Sequence, residues 1–315
     1  MLKVLLTGAS GCVGHYIAEA LIHNTNYELF LLVRNPSKLK LDCHIRPGIT
    51  VIPLDMLQIE QIKDLLSSIN IAILTATVWG GEDVYRVNVD KTHELISYLQ
   101  PGVCQHILYF STASILDRHL QLLPQAGEIG TDYIRSKYLC LQKLEADPLA
   151  QQITVLFPTL VFGGDGEKPY SQLSAGLPQI LPWTGLLRFF QAEGTFHFIH
   201  GQDIAAVVLY LINHPEEGRG KRLVLGNAEV SVNQCIQTLC AFQNLHIYLQ
   251  IPLYLWLARV VIKLFHIRMA AWDYFCLNYR YFGYDDPINP SSFGLEAYCP
   301  TLEDVLKLNY GDRQA

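Results

Sequence analysis

Tyr133-Ile134-Arg135-Ser136-Lys137 sets a phenol and an ammonium four residues apart. On a helix that spacing puts both side chains on one face. A phenol ordinarily titrates near 10, too high for easy proton exchange at neutral pH. An ammonium about 4 Å away is worth on the order of 4 kcal/mol at an effective dielectric of about 20, enough to lower the phenol by about 3 pH units. Tyr133 could then act as a general acid or base. Ser111-Thr112-Ala113-Ser114 follows an apolar stretch. A hydroxyl at the carboxyl end of a strand can hold a substrate oxygen beside the phenol. Thr112 is the expected group, with Ser111 and Ser114 as competitors. A Tyr and a Lys four apart also occur on ordinary solvent-facing helices, so the pair gains meaning only from its context.

That context begins at Thr7-Gly8-Ala9-Ser10-Gly11-Cys12-Val13-Gly14. Gly8 suits a tight turn, Gly11 a close approach of backbone to a pyrophosphate, and Gly14 close packing of helix on strand. Phosphates would sit at the helix N-terminus, against free N–H groups and the positive end of the dipole. Ser10, Cys12 and Val13 complete the expected cofactor contacts. An acidic residue at the end of the second strand would accept from a ribose 2′-hydroxyl. The sequence there is Val33-Arg34-Asn35-Pro36-Ser37-Lys38. Arg34 and Lys38 would pair with a 2′-phosphate, so NADP is expected in preference to NAD.

These groups need a scaffold, and the hydrophobic pattern supplies one. Strands are expected at residues 2–6, 28–33, 49–53, 71–75, 105–111, 153–157 and 222–225. Helices are expected at 13–23, 58–67, 88–99, 133–145 and 203–212. Short continuous apolar strands alternating with amphipathic helices indicate βαβ units and a parallel sheet covered on both faces. The expected fold is therefore α/β, a Rossmann-type doubly wound parallel sheet with a smaller, mixed C-terminal substrate lobe. Residues 1–160 read as the NAD(P)-binding domain, with segments returning to it near 200–226. Residues 161–315 read mainly as the substrate lobe.

The 315 residues carry a formal charge of -6 without a clustered basic face, which argues against a nucleic-acid partner. Eight cysteines are scattered without a CxxC spacing. Free thiols, a reducing compartment and no metal are the expectation, and the start lacks the layout of a secretory leader. The cytoplasm is the expected location. Residues 253–267 form an unusually apolar helix with Arg259, Lys263 and His266 on one stripe. Three readings stay open for it: a lobe helix packed on the core or in a homodimer, a lid over a lipophilic substrate, or a helix lying in a membrane surface. His197 and His200 carry no ligand spacing.

Taken together, these motifs resemble the extended short-chain dehydrogenase/reductases, which include nucleotide-sugar epimerases and dehydratases, 3β-hydroxysteroid dehydrogenases and dihydroflavonol reductases. The likeness covers roughly residues 1–230. It implies an adenine-contacting Asp55 followed by Met56, and a cofactor-lining Thr75-Ala76-Thr77. It also implies a helix-borne Asn88, a catalytic set of Thr112, Tyr133 and Lys137, and a post-strand segment Phe157-Pro158-Thr159 beside the nicotinamide. Tyr133 and Lys137 would touch the cofactor as well as the substrate. Dimerisation through two helices per subunit is a further implication. The departures matter. Ala113 and Ser114 stand where nucleotide-sugar 4,6-dehydratases carry an acidic pair, which speaks against that elimination. Phe157 stands where many members have Arg before the proline, and Leu116-Asp117 replaces a Tyr-Gly. The expected activity is NAD(P)-linked interconversion of an alcohol and a carbonyl on a small apolar molecule. A nucleotide-sugar epimerase working by transient oxidation, and a non-catalytic dinucleotide-binding regulator or assembly factor, are the alternatives.

Overall fold

A computed structural model of the chain describes residues 1–264, 266 and 268–310. Seven strands form one parallel sheet: β1 (Lys3–Thr7), β2 (Glu28–Val33), β3 (Ile49–Pro53), β4 (Ile71–Leu74), β5 (His106–Phe110), β6 (Ile153–Pro158) and β7 (Arg222–Leu225). Their order across the sheet is β7-β6-β5-β4-β1-β2-β3. The order reverses between β1 and β4, where Leu6 lies opposite Leu31 on one side and Ile73 on the other. A doubly wound sheet opens its ligand crevice at that switch point, outside the carboxyl ends of the strands.

Each strand reads as a continuous apolar run because both faces are covered. Successive side chains alternate between two cores. Val4 and Leu6 join Leu29, Leu31 and Ile73 beneath helices α1 (Cys12–Asn24) and Gly201–Asn213. Leu5 joins Phe30, Leu32 and Ala72 beneath the helices on the opposite face. Two of those helices matter for the site. One is α2 (Thr92–Tyr98), entered through a π-helical turn at Arg86–Lys91, and the other is α3 (Asp132–Glu145).

Three elements differ from the sequence reading: the helix expected at 88–99 opens as the π-helical turn Arg86–Lys91 before α2, and two others change form or length. The helix expected at 58–67 is a tight 3-10 stretch, Met56–Ile62, followed by a short α-helical turn, Lys63–Leu66. The carboxylate of Asp55 caps it by accepting from the Leu57 N–H at 2.9 Å, which starts the element two residues early. The helix expected at 253–267 runs over Leu255–Leu264. Phe265 and Ile267 of that reading lie outside the described residues. The lobe beyond β6 has its own small core, in which Phe162, Leu177, Phe198, Leu239 and Val305 meet.

Candidate functional site

The glycine turn sits at the carboxyl end of β1, against the loop that leaves β4. Gly8 has φ +71°, and a Cβ there would lie 2.8 Å from the Ala76 nitrogen. A Cβ at Gly14 would collide with the Gly8 carbonyl oxygen. Both positions therefore exclude a side chain, one to let the β4 loop close on the turn and one to let α1 close on it. The threonines on either side lock this contact. The Thr75 hydroxyl donates to the Thr7 carbonyl at 2.6 Å, and the Thr7 hydroxyl accepts from the Ala76 N–H at 3.2 Å. Gly11 is the N-cap of α1 and supplies no side-chain cap, so the first N–H groups of the helix stay available to an anion. Ser10, Cys12 and Val13 are half-buried around this cradle, and burial pushes the Cys12 thiol up to about 12. A dinucleotide pyrophosphate fits here: the backbone is bare where the phosphates would approach.

At the edge of the crevice Arg34 and Lys38 are exposed, and Asn35 caps the short turn between them by accepting from the Ser37 N–H at 3.0 Å. Asp55 stands half-buried after β3 with one carboxylate oxygen engaged in its cap, and Met56 beside it is half-buried. Asn88 is fully buried and its amide is saturated. Its oxygen accepts from Thr77 Oγ1 at 3.1 Å and from the Val78 N–H at 2.8 Å. Its nitrogen donates to the Val78 carbonyl at 2.8 Å and to Ser136 Oγ at 3.0 Å. Asn88 thus holds the β4 loop to α3 and has no polar atom left for a ligand. The π turn around it is closed by the Thr92 hydroxyl, which donates to the Val87 carbonyl.

α3 begins at the Thr131 cap, whose hydroxyl accepts from the Ile134 N–H. Its first turns carry Tyr133 and Lys137 toward the carboxyl edge of β5. The Thr112 hydroxyl, in the turn after β5, lies beside the Tyr133 phenol and acts to lower it. Thr112 is buried and is held there from two sides. Its oxygen accepts from the Ser114 N–H, and the next residue's carbonyl, Ala113, accepts from the buried Tyr284 phenol at 2.8 Å. His197 fixes Tyr284 in turn, accepting from its backbone N–H at 3.1 Å. The Ser111 hydroxyl is buried without a hydrogen-bond partner, and Ser114 contributes only its backbone. Pro158 ends β6 alongside this edge, with fully buried Phe157 before it.

The electrostatic premise for Tyr133 needs correcting. The expectation was a phenol lowered by its lysine. In the cofactor-free protein burial raises the phenol above its ordinary value, and only the Thr112 hydrogen bond acts the other way. The reason is geometric. The Lys137 ammonium donates to the Phe110 carbonyl at 2.8 Å and lies 6.0 Å from the centre of the Tyr133 ring. It is itself buried, which lowers it to about 8. Two desolvated groups each favour their neutral forms, so the cation does little for the phenol until something re-hydrates or re-orients the pair.

Two residues escaped the sequence reading. Trp79 stacks on Tyr133 with ring centres 4.1 Å apart and planes 26° apart, although its indole is largely exposed. It projects from the β4 loop just before Gly80-Gly81 and roofs the phenol. The signal was an exposed-type position bearing the largest apolar side chain directly after the segment expected to line the cofactor. Tyr284 was equally unmarked, since its partner lies 171 residues away.

The comparisons with known proteins agree with this architecture. The model of the NAD dependent epimerase/dehydratase family matches residues 4–226. The solved structure of gox2253 superposes with a TM-score of 0.70 at 16% identity, covering 99% of this chain and 98% of that one. A dTDP-glucose 4,6-dehydratase from Bacillus anthracis, solved with NAD, gives 0.66 at 12% identity, covering 100% and 98%. A UDP-glucuronic acid 4-epimerase from Bacillus cereus, solved with UDP-glucuronic acid and NAD, gives 0.60 at 16% identity, covering 80% and 86%. At these identities the likeness is one of fold. No curated protein sequence matches the chain at a significant level.

Proposed function

The chain belongs to the NAD dependent epimerase/dehydratase family, and on that premise we propose that it interconverts an alcohol and a carbonyl on a small apolar molecule with a nicotinamide dinucleotide. The observation that carries this reading is α3, which sets Tyr133 and Lys137 one turn apart on one face, beside the Thr112 side chain that acts to lower the phenol. When bound, the dinucleotide supplies the hydride acceptor or donor. Thr112 orients the substrate oxygen. Tyr133 exchanges the proton with that oxygen: its phenol donates when a carbonyl is reduced, and its phenolate accepts when an alcohol is oxidised. Burial raises the phenol, so it holds the proton that reduction of a carbonyl needs. Lys137, which donates to the Phe110 carbonyl, would be the residue to hold a cofactor ribose, and its ammonium would favour the phenolate for the reverse. Gly8, Gly11 and Gly14 with the α1 N-terminus take the pyrophosphate, and Ala76 and Thr77 line the cofactor's path toward Tyr133. Arg34 and Lys38 favour NADP, because no carboxylate follows β2 to accept from a 2′-hydroxyl.

The apolar substrate is favoured over a sugar nucleotide by the lobe's cations, three of which already have partners. Lys168 sits between Glu19 and Asp165, each at 3.2 Å, Arg280 pairs with Glu193 at 2.7 Å, and Arg188 donates to the His246 carbonyl. A diphosphate would have to break those contacts. The second reading, a nucleotide-sugar epimerase, is favoured by the folds solved with such ligands. Purified protein assayed with NADPH and apolar ketones, and in parallel with UDP- and dTDP-hexoses, separates the two. Ketone-dependent loss of nicotinamide absorbance supports the proposal. Sugar isomerisation without net cofactor consumption replaces it with the epimerase.

A further inference from the structure

The C-terminal lobe carries a surface that the site does not use. Residues 169–192 and 230–272 contain no Asp or Glu, yet they hold Arg188, Arg259, Lys263 and Arg268 in a chain whose formal charge is -6. The two segments are joined in space. The strand Phe190–Gln191 pairs in parallel with Ile251–Pro252, and the Gln191 amide donates to Gln250 at 3.1 Å. The pairing leads into the helix Leu255–Leu264, here called α4. Leu255 and Ile262 of α4 are half-buried against the lobe. The opposite side is bare. Tyr248 is 85% exposed, Leu249 68%, Trp256 63% and Leu264 68%.

Helical geometry, at about 100° per residue, puts Trp256, Val260 and Leu264 on one strip, with Arg259 and Lys263 along its edge. All five are exposed. An apolar strip edged by cations, with Tyr and Trp at its start, is the layout of a helix that lies in a lipid headgroup layer. Among the described residues no helix is long and apolar enough to cross a membrane, and α4 spans only about 15 Å. We propose that α4 and the preceding segment 248–254 dock in the plane of a bilayer containing anionic lipid. The charge distribution favours this occupant over a second copy of the chain. A two-fold contact through this face would set Arg259 and Lys263 beside their own copies, with no carboxylate in 230–272 to pair them and with Glu193, which lines the cavity beside Trp256, already paired with Arg280 at 2.7 Å. Anionic headgroups supply that counter-charge.

The test uses the full chain and sedimentation with vesicles, one set of phosphatidylcholine alone and one of phosphatidylcholine mixed with phosphatidylglycerol. The protein should pellet with the mixed vesicles, be released by high salt, and stay in solution with phosphatidylcholine alone. Trp256→Asp should weaken binding by about tenfold or more, since it removes the largest inserted side chain. Lys263→Ala, a surface change that leaves the fold intact, should weaken it about fivefold. Retained dinucleotide binding verifies that each variant is folded. The proposal is overturned by absence of binding to either vesicle, or by equal binding to both with Lys263→Ala neutral. It is also overturned by a dimer in light scattering that Val260→Asp converts to monomer.

Discussion

Replacing Lys137 by Met should stabilise the cofactor-free protein while removing its activity. The ammonium is buried, and burial lowers it from 10.5 to about 8. At 1.36 kcal/mol per pH unit that displacement corresponds to about 3 kcal/mol of destabilisation borne by the folded state at pH 7. Methionine of similar length removes the charge but strands the Phe110 carbonyl, which now accepts from Lys137 at 2.8 Å. An unsatisfied buried acceptor costs about 1–2 kcal/mol, leaving a net gain of about 1–2 kcal/mol. The pH dependence follows from the sign of the displacement. Below about pH 8 folded and unfolded chains both carry the proton, and the full cost is present. Between about 8 and 10.5 the folded chain releases it first, the unfolded chain binds more protons, and wild-type stability rises with pH. At about pH 9.5 the cost has relaxed by about 2 kcal/mol, so the variant should have lost its advantage. Urea denaturation of both proteins at the two pH values, without dinucleotide, is the assay. A variant less stable than wild type at pH 7, or a difference that does not change with pH, would refute the reasoning.

Further outcomes follow from the same geometry. Gly14→Ala sets a methyl against the Gly8 carbonyl. It should cost about 1–3 kcal/mol in denaturant unfolding and weaken dinucleotide binding more than stability, because the cradle itself must shift. Trp79→Ala uncovers the phenol that burial now raises. The Tyr133 titration, read by ultraviolet difference against Trp79→Ala/Tyr133→Phe, should fall back toward the ordinary tyrosine value. An unchanged midpoint would mean that other groups, not the indole, bury Tyr133. Arg34→Glu should weaken NADPH binding by about tenfold, the worth of a charge-assisted pair, while leaving or improving NADH binding. Equal losses for both cofactors would remove Arg34 from the 2′-phosphate site.

The sheet was readable because a strand buried on both faces is a continuous apolar run, as in Val4-Leu5-Leu6 and Ile71-Ala72-Ile73-Leu74. The glycine turn and the Tyr133/Lys137 pair were readable because their spacing is local. What escaped depends on distant partners. The π turn at 86–91 exists around the side chain of Asn88, which binds Val78 on one side and Ser136 on the other, and nothing in the local pattern announces it. The Tyr284 brace on Ala113 spans most of the chain. The expected lowering of the Tyr133 phenol gives way to a raising by burial, for a physical reason. The expectation treated Lys137 as a free charge in a polarisable medium, whereas the folded chain desolvates both groups and hands the ammonium to a backbone carbonyl. The tilt toward NADP rested on Arg34 and Lys38 and on the missing carboxylate after β2, and both cations are exposed with no ion pair among the described residues.

Proton exchange at a single phenol carries the proposed reaction. Tyr133→Phe keeps the ring and its stack on Trp79 and deletes only the hydroxyl that meets Thr112. With the ketone and dinucleotide that wild type turns over, the variant should bind the dinucleotide as tightly and lose about 100-fold or more in the single-turnover rate of nicotinamide oxidation. A variant that oxidises the bound nicotinamide at the wild-type rate would contradict the assignment.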